Sequence, residues 1–333
     1  MSVYSLGLGI GTKSGVGELL EVYYPAPQLN PKGEWVDKVL GYIKNPESAV
    51  HEIRLEKAKL IADMIPNHPK FDDTTRTIIF TVLKDDRAPS STAEAYLKLH
   101  LLSHRLVRPH ETNLTGIFRT LPNVAWTNEG AIAIDELAKR QLSARLKGRY
   151  LSVNSVDKFP KMTDYIVPSG VRIAHTARVR LGAYVGEGST IMHEGFINFN
   201  AGCEGPNMIE GRISAGVMVD SGTDLGGGCS TMGTLSGGND IVISIGKNCL
   251  LGANSGCGIP LGDNCTIEAG LYITGGSKIN ILNKAGEIEK SVKAASLSGV
   301  SDLLFRRNSL KGYIECKPLK AAIVLNDELH SHN

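Results

Sequence analysis

The 333-residue chain has no cysteine among its first 200 residues, and its six cysteines (Cys203, Cys229, Cys249, Cys257, Cys265, Cys316) form no C-x-x-C pair. A disulfide scaffold or a structural zinc site needs closer or paired spacings, so these read as reduced, buried side chains. Net charge is also nearly absent. Thirty-six Lys and Arg stand against 34 Asp and Glu, a formal charge of +2, which gives no field for wrapping a polyanion or lying on an acidic membrane. No apolar run approaches the roughly 20 residues a membrane helix needs. The opening MSVYSLGLGIGTKSGVGE lacks a basic segment followed by a continuous apolar one, so no secretory signal is readable and the cytoplasm is the expected compartment. Nucleic acid and membrane are not expected partners.

What the chain does have is glycine, distributed unevenly: residues 1–165 hold ten of the 37 and residues 166–333 the other 27. The first part reads as a mixed α/β domain with connector. Leu55, Leu60, Ile61, Met64 and Ile65 recur near helical spacing, residues 93–106 form a second helical stretch, and TIIFTVL at 77–83 is a strand-length β-branched run. Residues 135–146 carry helix formers and stop at Gly148. Gly7, Gly9 and Gly11 before Lys13 match neither phosphate-loop nor dinucleotide spacing, and a glycine-rich turn or strand is the plainer reading.

The second part has a period of six. Ile173, Val179, Val185, Ile191 and Ile197 are followed, after an interruption, by Ile213, Val219 and Leu225, then Ile245 and Leu251, then Leu261, Ile267, Ile273 and Ile279. That pattern predicts a hexapeptide β-helix over 166–285, with three strands and three corners per coil of about 18 residues and the aliphatic residue inside. Residues 286–333 form a short C-terminal segment. Two breaks, NFNAGCEGPNMIEG at 198–211 and TLSGGNDIV at 234–242, read as irregular loops on a rigid scaffold, where sites commonly lie. Stacked prisms leave clefts in which an acyl-CoA could lie along the coil direction. Such a ligand needs exposed backbone, cations for phosphates and a base or nucleophile near the thioester. Gly226, Gly227, Gly228, Gly275 and Gly276 offer the first, and Lys293, Arg306 and Arg307 the second.

The segments MHEGFINFNAG (192–202), MIEGRISAGV (208–217), TMGTLSGG (231–238), LLGANSG (250–256), IEAGLYITGG (267–276) and LLFRRNS (303–309) resemble the 2,3,4,5-tetrahydropyridine-2,6-dicarboxylate N-succinyltransferase family, in its branch with a large N-terminal α/β domain. The likeness is dense from about residue 171 to 309 and thinner before it. It implies a left-handed parallel β-helix, a homotrimer with shared sites, and succinyl transfer from succinyl-CoA to the amino group of L-2-amino-6-oxopimelate. It also implies that Glu210, in MIEGRIS, is catalytic, either as a nucleophile through an acyl anhydride or as the general base that deprotonates the amine. A local ion pair with Arg212 is the plain alternative.

By the same resemblance, succinyl-CoA would be met by Arg212, Gly227, Ser230, Ala253, Glu268, Ala269, Gly276, Lys293, Arg306, Arg307, Asn308 and Ser309. Arg212 could fork onto the succinyl carboxylate. Glu194 matches a position that can bind Mg2+ on a three-fold axis, although Ala177 stands where some members carry a partner Asp. His193 is a candidate base beside Glu194, with a structural role the plainer reading. His330 and His332 belong to a polar end expected to be disordered. Two other readings remain from residues alone: an acetyl-CoA-dependent enzyme of the same architecture, and a non-catalytic scaffold.

Overall fold

A computed structural model describes residues 3–43, 48–233 and 242–319. The chain divides into two compact units, one of Met1–Pro168 with Val179–Tyr184 and one of Ser169–Arg178 with Val185–Asn333. The first is built on an antiparallel sheet of strands β1 (Ser5–Lys13), β2 (Leu19–Tyr23), β3 (Gln28–Leu29), β4 (Val50–Ile53) and β5 (Thr77–Leu83). The order is β2-β1-β5-β4, with β3 also on β1. Strand alternation gives β1 two different faces. Leu6 and Leu8 pack with Ile78, Phe80 and Val82 against Val36 and Val39 of helix α1 (Glu34–Gly41) and Ala58, Ile61 and Ala62 of helix α2 (Leu55–Met64).

The opposite face of β1 carries the early glycines, and it meets helix α3 (Thr92–Ser103). A Cβ on Gly7 would lie 2.7 Å from the Tyr24 ring and 2.8 Å from Leu97 of α3. The GLGIG run is thus a strand stripped of side chains so that a helix and a tyrosine can approach. Every α3 residue from Ala93 to Ser103 is buried, as an all-round packed helix requires. Lys98, inside it, uses its three protons on Asp86, the Arg87 carbonyl (2.6 Å) and the Asn113 carbonyl (3.0 Å). Strands Val124–Thr127, Gly130–Ala133 and Val153–Asp157 form a small antiparallel sheet beside the helix Ile134–Leu146, which stops at Gly148 in a left-handed conformation.

The second unit is the left-handed parallel β-helix of the hexapeptide-repeat fold. Its first face stacks Arg172-Ile173, Thr190-Ile191, Met208-Ile209, Asp224-Leu225, Leu250-Leu251, Thr266-Ile267 and Leu304-Phe305 in parallel register. A second face stacks Phe196, Arg212, Ser230, Gly256 and Tyr272, and a third Gly202, Met218 and Ser244. In each two-residue rung the second side chain points inward: Ile191, Ile209, Leu225, Leu251, Ile267 and Phe305 are 0–1 % exposed.

The first break differs from expectation. Residues 198–211 are no irregular loop, since they supply the rungs Ala201–Cys203 and Met208–Ile209. Cys203 holds the inward position six residues after Ile197 and six before Ile209, fully buried, so the repeat continues through it. Thr231 and Cys257 hold equivalent inward positions. Of the second break, residues 234–241 lie outside those described, as do His330 and His332.

The C-terminal segment joins the β-helix sheet. Leu303–Arg307 adds parallel to Thr266–Ile267 as the last rung of the first face, and a hairpin turns it antiparallel to Ile314–Pro318. Ile314–Pro318 in turn pairs with Lys278–Leu282.

Candidate active site

Most of the sequence-selected residues fall on one corner of the β-helix, between its first and second faces. The first residue of that corner is Glu210, Gly226, Gly252 and Glu268 in successive coils, and Arg306, still within the strand Leu303–Arg307, follows in the same register. The ladder bonds from the Glu210, Gly226, Gly252 and Glu268 amides to the Leu225, Leu251, Ile267 and Phe305 carbonyls (2.8–2.9 Å) hold them in line. At the usual spacing of about 4.8 Å per strand, the row from Glu210 to Arg306 is about 19 Å long. Between Glu210 and Glu268 it is bare of side chains. A Cβ on Gly226 would come within 2.8 Å of the Leu251 carbonyl, and one on Gly252 within 2.8 Å of the Ala269 Cα. The stacking itself therefore demands glycine here, and leaves backbone and the small Ala253 and Ala269 along the row.

At Glu210 the corner is shorter than its neighbours. Four residues separate the first-face and second-face strands in the coils of Ile191, Leu225, Leu251 and Ile267, and the turns close with the Gly195, Cys229, Ser255 and Leu271 amides on the Met192, Gly226, Gly252 and Glu268 carbonyls (3.0–3.2 Å). Only Glu210 and Gly211 separate Met208–Ile209 from Arg212–Ile213. This coil lacks the turn, so the row has a notch there. Gly211 fits because a Cβ would overlap Cys229 Sγ and lie 2.7 Å from the Cys229 carbonyl. Half-buried Glu210 lies over the next coil: a Cβ on Gly227 would be 3.5 Å from its Oε2.

Arg212 is exposed, and its Nε donates to Ser230 Oγ at 3.0 Å, which fixes the side chain while leaving its terminal nitrogens for a ligand. It bonds to Ser230 rather than to Glu210. At the other end Glu268 Oε2 accepts from the Arg307 amide (2.7 Å), Arg307 Nη1 donates to the Gly312 carbonyl (2.8 Å), and Arg306 Nε donates to Glu315 Oε2 (2.9 Å). Asn308 Nδ2 donates to Glu315 Oε1 (2.7 Å), and its Oδ1 caps the turn through the Leu310 and Lys311 amides. Ser309 is exposed in that turn. Gly276 and Lys293 are brought close to each other, through Ala294 to Ser277 (2.8 Å) and Ala295 to Gly275 (3.1 Å), but beyond the far end of the second face rather than on the corner row.

His193 and Glu194 occupy the same corner one coil before Glu210. Both are exposed, and the His193 ring lies 5.4 Å from that of His175. The magnesium expectation does not fit this chain's residues. The Arg178 guanidinium donates to the Glu194 carbonyl (2.8 Å) and the Gly195 carbonyl (3.3 Å), setting a positive charge against the Glu194 backbone, and Ala177 offers no ligand. No group of three His, Cys, Asp or Glu suited to a metal occurs among the described residues.

Residues 121–161 match the model described as the middle domain of tetrahydrodipicolinate N-succinyltransferase, and residues 242–275 the hexapeptide repeat of succinyl-transferase. A 2,3,4,5-tetrahydropyridine-2,6-dicarboxylate N-succinyltransferase of Pseudomonas putida is 58 % identical over 100 % of this chain and 99 % of its own. One from Vibrio cholerae is 52 % identical over all of both chains. The chain belongs to this family. A Campylobacter jejuni crystal structure described as a 2,3,4,5-tetrahydropyridine-2-carboxylate N-succinyltransferase superposes with a TM-score of 0.84 at 31 % identity, covering 95 % of this chain and 92 % of that one.

Family membership was legible in the sequence, and Glu315 was not, because nothing in IECKP marks a buried carboxylate. The notch was signalled by the inward residues, whose spacing falls from six to four between Ile209 and Ile213.

Proposed function

We propose that the corner row is the succinyl-CoA site of a tetrahydrodipicolinate N-succinyltransferase. The observation that carries this reading is the row itself: a carboxylate and an arginine at a notch, bare backbone at Gly226 and Gly252, then Glu268 and paired arginines, about 19 Å from Glu210 to Arg306. Bare backbone offers amide and carbonyl partners to the pantetheine arm. Arg306, Arg307 and, from the neighbouring surface, Lys293 would meet the phosphates. Arg212, held by Ser230, forks onto the succinyl carboxylate and sets the donor's acyl length. The acceptor is the ring-opened amine L-2-amino-6-oxopimelate.

In the transfer, the amine nitrogen forms a bond to the thioester carbonyl carbon, the carbon–sulfur bond breaks, and the sulfur leaves as CoA with a proton. Glu210 takes the proton the amine loses, or first accepts the succinyl group as a mixed anhydride that the amine then opens. The setting is a homotrimer in the cytoplasm, each corner row covered by a neighbouring subunit.

Thiol release from succinyl-CoA or acetyl-CoA, with and without 2-aminopimelate, tests the assignment. Acceptor-dependent release from succinyl-CoA, falling at least a hundredfold in Glu210→Ala, is the expected result. Release from acetyl-CoA alone would overturn the donor. A stoichiometric burst without acceptor selects the anhydride route; its absence selects the base.

A further inference from the structure

The arginines at the end of the row owe their posture to a carboxylate outside every motif. Glu315 stands directly across the hairpin from Arg306, and on the other side of its strand its parallel neighbour is Asn280. Flanked on both sides, it is 3 % exposed. Burying a carboxylate is costly unless both oxygens are engaged, and here both are. Oε2 accepts from Arg306 Nε at 2.9 Å, and Oε1 from Asn308 Nδ2 at 2.7 Å. The Arg306 side chain nevertheless stays about half exposed (46 %), held at Nε with its two terminal amino groups outside that contact. A guanidinium gripped this way keeps a two-pronged fork for an anion.

We infer that Glu315 is a positioning residue for anion recognition: it presents the Arg306 fork, and through Asn308 the turn that follows, to the phosphates of the acyl-CoA. This rests on the reading of the corner row as the CoA site. Glu315 touches no ligand and takes no part in bond making. Its negative charge also offsets one of two adjacent arginines, so the pair can stand together before the ligand arrives.

Calorimetric titration of the full-length protein with CoA, alongside steady-state kinetics with succinyl-CoA, tests the assignment in Arg306→Ala, Glu315→Gln and the double variant. Arg306→Ala and Glu315→Gln are each expected to raise the CoA dissociation constant roughly tenfold and the KM in step, with kcat at saturation within twofold. The double variant should bind no worse than Arg306→Ala, because Glu315 acts only through that arginine and its turn. A residue that merely held the hairpin would lower the melting temperature and leave the dissociation constant unmoved. That result, or additive losses in the double variant, overturns the proposal. Loss in Glu315→Gln with none in Arg306→Ala also overturns it, since the loss would then run by another path. If both single variants bind CoA as the unaltered protein does, the placement of CoA on this row fails as well. Should Glu315→Gln not fold, Glu315→Asp keeps the charge and falls short of one donor. A smaller rise supports the assignment, and unaltered binding sinks it.

Discussion

His100 shows how one buried side chain makes stability depend on pH. The Tyr24 amide donates to its Nε2 (3.2 Å), and its Nδ1 proton goes to the Tyr96 carbonyl (2.7 Å), so the ring is held neutral. A second proton would set N–H against N–H. Around it stand Tyr23, Tyr24, Tyr96, Tyr165 and His104, with Glu21 engaged by the Tyr165 hydroxyl. Burial lowers the His100 pKa to about 3 and that of His104 to about 4. In the unfolded chain both titrate near 6.5, so acid favours unfolding from there downward, until the folded values are reached. Between pH 6.5 and 5 His100 alone is expected to cost about 2 kcal/mol. Urea unfolding at pH 7.5 and pH 5 measures this, and His100→Gln should show a visibly smaller acid loss. Equal midpoints at both pH values in the unaltered protein would refute the account.

Three of the cysteines follow the same physics with the opposite sign. Burial pushes Cys229, Cys257 and Cys316 up to about 12, and all six thiols are buried and free. The Cys249 thiol is instead lowered by its hydrogen bond with Cys265, so its protection rests on burial alone; at pH 7.5 a chromogenic disulfide should react with none of the six in the native protein and with six after denaturation. Fast labelling of any one thiol without denaturant would contradict this. The packing role was legible for Cys249, Cys257 and Cys265, small side chains inside the repeat with no base evident beside them in the sequence. Glu315 was not, since its two partners meet it only across a hairpin.

At the level of the element, the tight corner explains which glycines tolerate a side chain. Gly211 faces the Cys229 sulfur and, at 2.7 Å, a Cys229 carbonyl that cannot move without unstacking a coil, whereas the atoms nearest a Cβ on Gly256 belong to the ring of Tyr272, a half-exposed side chain free to swing away. Gly211→Ala is expected to cost about 1–3 kcal/mol and to lower transfer by distorting the notch. Gly256→Ala should cost well under half of that. Thermal unfolding of the two variants decides it, and equal losses would refute the argument. The hexad spacing made the β-helix readable because each coil pairs with its sequence neighbour. The apparent gap at 198–211 misled because cysteine replaced an aliphatic residue at position 203. The last rung stayed hidden for a different reason. Ile267 pairs with Phe305 after the chain has made a long excursion, and no local periodicity reports a pairing at that separation.

For the whole molecule, a formal charge of +2 means that no general field gathers CoA, so its phosphates must be met locally. The β-helix leaves apolar side chains exposed beside the notch and, three rungs further along the second face, at Tyr272. Met208, which precedes Glu210 by two residues, is 42 % exposed, and Tyr272 on the second face is 50 % exposed. A subunit packed against this corner would cover them and turn an open row into a cleft, which is why a trimer suits the proposed chemistry. Light scattering should then give three times the chain mass, and a fully active monomer would refute the shared cleft. The row makes a sharper demand. Glu210 and Arg306 are the two ends of one ladder on one chain, so a single chain supplies both the reacting carboxylate and the phosphate anchor to each CoA. Co-refolded mixtures of Glu210→Ala and Arg306→Ala subunits should therefore regain nothing beyond the activity of the separate variants. Recovery toward about one quarter of the unaltered rate at low succinyl-CoA in an equimolar mixture would show that the two residues reach a common ligand from different subunits, and the continuous row would have to be abandoned as the binding site.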